Sequence, residues 1–341
     1  MRRPPGDATG RHRLRLAGVA ANVGLAALSG LLCLIMAELA LTVAGFEYTP
    51  LRIEVAQRDD ARAYHVFEDR YFVYDPDLIW RPRSGYVVFN AQGFRGPELP
   101  AIKSPASIRV FAVGDSNTLG WAGEDGPNWP AYLGELMQAQ MGREAVVVNA
   151  GVWGYSSYQG VKRVRETLRY DPDLVLISFG SNDGHPVERS DRDYGLTGAR
   201  MGSMALDQAL SHLRVGQLLL GLVGRFGATG EITRRVPLAE YRENLRIILA
   251  EARERGVTVV LMTRPYIGDA LDRSSWKVVA PDYNRATVEI AREQHVALVD
   301  LYSLFREREP LFDDESHFTE EGHRLAAQLV FDVVRTALAG R

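Results

Sequence analysis

From position 108 onward one pattern repeats: a short apolar run, a break of glycine and small polar residues, then a stretch whose apolar residues recur with helical spacing. The runs at 108–113, 145–150, 174–178, 257–262 and 297–300 are rich in branched side chains and carry little charge, as strands buried on both faces do. Helical spacing marks 129–141, 158–168, 238–255 and 283–294, and a last helix is expected at 319–339. Few folds accept this pattern. Strands that alternate with helices lie parallel, with helices covering both faces of the sheet. At 341 residues and 46% apolar content the chain has material for such a core and for attachments outside it. The stretch 184–236 is too long for a plain connection between the third and fourth strands. Its apolar run, 213–226, has helical potential. Extra core is the expected use of that run, with a lid or a membrane-facing helix as alternatives.

In a parallel sheet all C-terminal strand ends share one edge, where sites gather. Gly114-Asp115-Ser116-Asn117 follows the first run, and Asn149-Ala150-Gly151-Val152-Trp153-Gly154 the second. Gly180-Ser181-Asn182-Asp183 follows the third, and Asp314-Glu315-Ser316-His317 comes after the fifth, just before the last helix. Acyl transfer needs this set. A serine hydroxyl is a poor nucleophile until a base takes its proton, and His317 can do so for Ser116. Asp314, three residues back on the same turn, can orient the imidazole. The Ser116 amide, the Gly154 amide and the Asn182 side chain would supply oxyanion donors. Gly151 is the alternative to Gly154, and Asp313 the alternative to Asp314. Asp115 is expected to cap the helix behind Ser116, and Asp183 to order its own loop. His185 reads as a solvated loop histidine. His323 lies six residues beyond His317, a spacing that does not repeat one helical face, so a paired-histidine metal site is not expected there.

Four blocks in this order resemble the SGNH hydrolase superfamily, also called GDSL-like esterases and lipases. Gly114-Asp115-Ser116 is similar to its first block, with Asn117 where leucine is common. Gly154, five residues after Asn149, matches the second, Gly180-Ser181-Asn182-Asp183 the third, and Asp314 with His317 the fifth, continuing as Thr319, Gly322 and His323. Trp129-Pro130 also fits. The resemblance covers roughly position 108 to the C-terminus; it departs at Asn117 and in the long segment after the third block. It implies a three-layer α/β/α flavodoxin-like fold with about five parallel strands. It also implies Ser116, His317 and Asp314 as catalytic residues, and Ser116, Gly154 and Asn182 as the oxyanion hole, without a metal or a cofactor.

The N-terminal part reads differently. Residues 1–15 carry five arginines against one acid, and positions 16–37 contain no charge. A helix over that run reaches about 33 Å, enough to cross a bilayer. Glu38 follows, then a further apolar run to Phe46. Positive charge before the span places residues 1–15 in the cytoplasm, an anchor at 16–46, and everything beyond on the outer side. A cleaved signal peptide and a buried helical hairpin are the alternatives; the run is long for a signal peptide and no clear Ala-x-Ala site follows it. Residues 47–107 mix aromatics, prolines and turn formers and are expected to pack as short strands and turns on the main domain, with Trp80 or Phe94 lining a substrate groove as the sharper alternative. The main domain is expected at 108–341 with an insertion at about 184–236.

Forty basic against forty-three acidic residues leave a net charge of −3, which excludes a general nucleic-acid partner. A lone cysteine, Cys33, excludes a disulfide framework. The combined expectation is a single-pass membrane protein with an outward-facing serine esterase domain, acting on O-acyl, including O-acetyl, esters of a cell-envelope carbohydrate or lipid. An O-acyltransferase with the same acyl-enzyme chemistry and a non-catalytic envelope-binding protein are the alternatives; the sequence names no protein partner.

Overall fold

The structure, a computed structural model, describes residues 8–46, 71–75, 77–86, 88–100, 102–120, 126, 128–187, 190–193, 213–225, 233–267 and 281–339. In chain order it contains helix α1 (Ala8–Val43), a hairpin of β1 (Phe72–Asp75) and β2 (Ile79–Pro82), strand β3 (Ile108–Gly114), the one-turn helix α2 (Ser116–Leu119), α3 (Trp129–Gln140), β4 (Ala145–Asn149), α4 (Ser157–Thr167) and β5 (Leu174–Ser178). Then come β6 (Pro186–Val187), α5 (Arg214–Arg225), β7 (Thr233–Arg234), α6 (Leu238–Glu254), β8 (Thr258–Met262), α7 (Pro281–Glu293), β9 (Ala297–Val299), α8 (Leu301–Phe305) and α9 (Glu320–Ala339).

Five strands form one parallel sheet in the order β4–β3–β5–β8–β9. Counted along the chain this is 2-1-3-4-5, the doubly wound order whose crevice opens between the first and third strands. Every residue of β3 and β5 is buried, which is why both read as unbroken apolar runs. Val110, Ala112, Leu174, Leu176, Val260 and Met262 face α3, α8 and α9. Their neighbours Phe111, Val113, Val175, Ile177, Val259 and Leu261 face α4, α6 and α7. Two cores on opposite faces of one sheet make the expected three layers.

The hairpin and the turns after it belong to the second of these cores. Phe72, Leu78, Ile79, Trp80, Phe89, Phe94 and Leu99 are all buried there. Trp80 and Phe94 are 2% and 1% exposed, so neither lines a groove; Phe94 stacks edge-on against Phe111 and Tyr170 at 5.3 Å each. Arg95 donates its backbone N–H to Asn149 at 2.9 Å, joining this segment to the edge strand β4. The expectation for residues 47–70 lies outside the described residues, as do 188–189, 194–212 and 226–232 of the stretch at 184–236.

Among the described residues, none of α5 belongs to either core. It packs on α1, and Leu213, Leu218, Leu219 and Leu222 remain exposed. α1 is one continuous helix that begins at Ala8, inside the basic stretch. Its portion Ala21–Val43 is 23 residues long with none of its side chains buried, compatible with a membrane span or a signal sequence. At ~1.5 Å per residue it reaches about 34 Å.

Candidate active site

Ser116 comes to the sheet edge on β3. Gly114 ends that strand for lack of space rather than for an unusual turn: a Cβ there would lie 2.2 Å from the Thr118 hydroxyl and 2.7 Å from the Ser178 carbonyl. Asp115 follows in extended conformation and caps α2, accepting from the Asn117 N–H at 2.9 Å. Ser116 is therefore the first helical residue, at the end where backbone N–H groups point outward unpaired.

Ser116 Oγ lies 2.8 Å from His317 Nε2, and His317 Nδ1 lies 2.7 Å from Asp314 Oδ2. The other Asp314 oxygen accepts from the backbone N–H groups of Ser316 at 2.7 Å and His317 at 2.8 Å. That local turn explains why the acid stands three residues before the histidine. Burial raises the Asp314 carboxyl, but the hydrogen bond and charge of His317, with the two N–H groups, outweigh it and hold the group well below the usual carboxylate range. An ionised acceptor at Nδ1 keeps the ring proton there and leaves Nε2 to receive the serine proton. The backbone N–H of Asp313 donates to the His317 carbonyl at 2.9 Å, and the carboxylate that meets His317 Nδ1 is that of Asp314.

Two side chains hold this loop against the nucleophile. The Ser316 carbonyl accepts from Asn117 Nδ2 and from an Arg264 terminal nitrogen, both at 2.7 Å. Arg264 Nε meets both Asp115 oxygens, at 2.9 and 3.1 Å, and the two side chains are 2% and 1% exposed. Asn284 pins the Arg264 backbone, accepting its N–H at 2.8 Å and donating to its carbonyl at 2.9 Å. One buried arginine thus ties the residue before Ser116 to the residue before His317.

The second loop is held just as closely. The carbonyls of Trp153, Gly154 and Tyr155 accept in turn from Trp80 Nε1 at 3.2 Å, Arg235 at 2.7 Å and Asn182 Nδ2 at 2.9 Å. A trans peptide is planar, so fixing the Trp153 oxygen aims the Gly154 N–H the opposite way. Among the described residues no acceptor meets the backbone N–H of Ser116 or Gly154. Asn182 keeps a second amide hydrogen beyond the one given to Tyr155. Gly154 has φ +73°, a conformation that suits glycine. Gly151 is engaged differently: its N–H donates to Asn149 Oδ1 at 3.0 Å, and a Cβ on it would lie 2.5 Å from the Leu119 nitrogen.

The supports beneath this loop are buried. Asp191 pairs with Arg235 at 3.0 and 2.7 Å and takes the Ser156 hydroxyl at 2.6 Å. Asp183 orders its loop as expected, accepting from Ser157 N–H at 2.9 Å and Gly180 N–H at 3.1 Å, and burial pushes its carboxyl up to about 7. His323 is buried and caps α3, accepting the Trp129 N–H at 3.2 Å; burial, then the charge of Arg95, pushes it down to about 3, so it is neutral. His185 is half-buried rather than solvated. Among the described residues no three His, Cys, Asp or Glu side chains are placed to hold a metal ion.

All five site residues expected from the sequence therefore sit at one edge, and the chain adds four supports whose roles sequence reasoning missed: Arg264, Asn117, Arg235 and Trp80. Arg264 had a signal, since it follows β8 by two residues at the edge where sites gather. For Arg235 no local signal exists, and Trp80 drew notice only as a groove residue. As an arrangement, these groups can activate a hydroxyl, hold the imidazole that receives its proton and present N–H donors to a developing oxyanion.

Comparison with known proteins identifies the family of this chain. The sequence model of the GDSL-like Lipase/Acylhydrolase family matches residues 112–325. An arylesterase from Vibrio mimicus is 33% identical over 82 residues, which make up 24% of this chain and 40% of that protein. A lipase/acylhydrolase from Enterococcus faecalis of known structure is 21% identical, covering 67% of this chain and 96% of that one, with a TM-score of 0.47. An acetylxylan esterase from Geobacillus stearothermophilus is 22% identical, covering 67% and 94%, with a TM-score of 0.46.

Proposed function

The chain belongs to the GDSL-like lipase/acylhydrolase family, and from that premise we propose that it is an ester-bond hydrolase with Ser116 as nucleophile, His317 as general base and acid, and Asp314 as the orienting carboxylate. The observation that carries this reading is the unbroken chain Ser116 Oγ–His317 Nε2 at 2.8 Å and His317 Nδ1–Asp314 Oδ2 at 2.7 Å. His317 takes the hydroxyl proton as Oγ forms a bond to the ester carbonyl carbon. The oxyanion accepts from the N–H groups of Ser116 and Gly154 and from Asn182. The intermediate collapses, the C–O bond to the alcohol breaks, and His317 gives its proton to the leaving oxygen. Water then attacks the acyl-enzyme with the same proton traffic, which frees the acid and restores Ser116.

The substrate we propose is an O-acyl ester of a cell-envelope carbohydrate or lipid. The apolar helix α1 supports the location, with the basic N-terminus in the cytoplasm and the catalytic domain outside. A cavity of about 60 Å³ lined by Tyr71, Val88, Phe89, Arg95, Leu119, Gly120 and Trp153, the residue before Gly154, is in keeping with a short acyl group such as acetyl. Its volume is that of about two waters. The test is steady-state hydrolysis of p-nitrophenyl esters by the full chain in detergent micelles. Turnover that falls from acetate to octanoate and vanishes in Ser116→Ala is expected. Equal turnover in Ser116→Ala would refute the assignment of the nucleophile.

A further inference from the structure

Glu38 is the one charged residue between Leu16 and Phe46, and it lies in the second half of α1. Its two carboxylate oxygens accept the first backbone N–H groups of α5, Arg214 on one and Val215 on the other, each at 2.9 Å. The Arg214 side chain also reaches the Phe46 carbonyl at the end of the anchor helix. α5 therefore begins on α1, capped by a residue of α1 rather than by its own loop.

What α5 presents to its surroundings is apolar. Between Arg214 and Arg225 it contains no charge, and Gln217 is its only polar side chain. Leu218, Leu219 and Leu222 are 37%, 45% and 43% exposed. On α1 the neighbouring stretch is exposed too: Leu34, Ile35, Met36 and Leu39 are between 48% and 60% open. The two apolar surfaces meet at Glu38. Ten uncharged residues span about 15 Å as helix, too short to cross a bilayer and suited to lying within one leaflet.

We infer that α5 is an interfacial helix, embedded among the lipids of the leaflet at the C-terminal end of α1 and latched to the anchor by Glu38; this rests on the reading of α1 as a membrane span. The occupant is lipid because the exposed leucines continue the surface that the span itself gives to lipid. The depth also fits. Glu38 lies five residues before Val43, about 8 Å inside the helix end, where a carboxylate is costly unless paired. The N–H groups of α5 supply that pairing, and Arg214 extends toward the surface as basic residues at membrane boundaries do. The insertion would then hold the hydrolase domain at the membrane by a second contact besides the anchor, and favour ester substrates carried at that surface.

The test uses the full chain in vesicles of phosphatidylcholine and phosphatidylglycerol, with spin labels read for access to oxygen and to a water-soluble nickel chelate. Cys33 is the only native cysteine and lies on α1, so it reports the anchor itself. In a Cys33→Ser background, Leu219→Cys and Leu222→Cys report α5, and exposed Glu254→Cys reports water. The inference predicts oxygen-to-nickel ratios at least fivefold above Glu254→Cys at Cys33, 219 and 222. Lipid access at Cys33 with water access at 219 and 222 would overturn the inference and spare the anchor. Water access at Cys33 would overturn the anchor and the inference with it. Shielding of 219 and 222 from both reagents would replace lipid with a protein partner or a second copy. Glu38→Ala should raise nickel access at 219 severalfold and leave Cys33 unchanged; no change at 219 would refute the latch.

Discussion

Replacing Trp80 with phenylalanine should slow catalysis without changing substrate binding. Trp80 is 2% exposed, and its Nε1 donates at 3.2 Å to the Trp153 carbonyl, the other end of the peptide whose N–H belongs to Gly154. The substitution keeps an aromatic ring and the Trp80 carbonyl that receives the Tyr155 hydroxyl at 2.8 Å. It removes the donor. Deleting an oxyanion donor outright costs about 2.7–4 kcal/mol, or about 10²–10³ in kcat. Trp80→Phe only frees the peptide to tilt, and Arg235 and Asn182 still hold the next two carbonyls. The expected loss is therefore nearer tenfold in kcat, about 1.4 kcal/mol, with KM changed less than about threefold. Affinity for a boronate or phosphonate analogue of the tetrahedral intermediate should fall by the same factor as kcat. An unsatisfied buried carbonyl costs about 1–3 kcal/mol of stability, so Tm should also fall. A lower Tm with kcat intact, or a raised KM with kcat intact, would refute the claim that this tryptophan aims the Gly154 N–H.

Asn117→Leu, which introduces the residue common in the family, should lower kcat about two- to tenfold through the lost hydrogen bond to the Ser316 carbonyl, while Arg264→Ala, which strands Asp115 as a buried charge, should destabilise by about 3–5 kcal/mol; steady-state kinetics check the first and urea unfolding the second. Asp314→Asn should lower kcat by about 10²–10⁴ with little change in KM, because the ring loses the acceptor that fixes its tautomer; a loss under about threefold in steady-state assays would point to another acid. Asp183 holds its proton to about pH 7 when folded and loses it near pH 3.9 when unfolded. Its contribution to stability is thus full below pH 3.9 and lost as pH rises through 7. The Tm of Asp183→Asn should fall less between pH 5 and 8 than that of the unmodified protein, and parallel curves would contradict this.

The sheet was legible because its central strands β3 and β5 are buried on both faces and run into glycine-containing turns. The expected run 174–178 coincides with β5, which stops at Gly180-Ser181-Asn182. α4 starts one residue earlier than expected, since its polar first turn, closed by Ser156 and Gln159, has no apolar period to read. The three groups of the proposed triad were legible because Asp314 and His317 share one turn and Ser116 follows a strand. Its supports were not: Arg264 reaches Asp115 across 149 residues, Arg235 reaches Gly154 across 81, and Trp80 reaches Trp153 across 73. Contacts of that separation leave no mark on local pattern. The run at 213–226 illustrates the opposite limit. A short apolar helix reads the same whether it packs in a core or elsewhere, and only Glu38, 176 residues away from Arg214, directs it to α1.

The measurement that bears most directly on the central claim is the intact mass of the full chain in detergent micelles after exposure to a fluorophosphonate. A single phosphonyl adduct on the unmodified protein, absent from folded Ser116→Ala and slowed in His317→Ala, is the predicted result. Labelling that persists in Ser116→Ala, or none on folded unmodified protein, would contradict the account of Ser116 as an activated nucleophile.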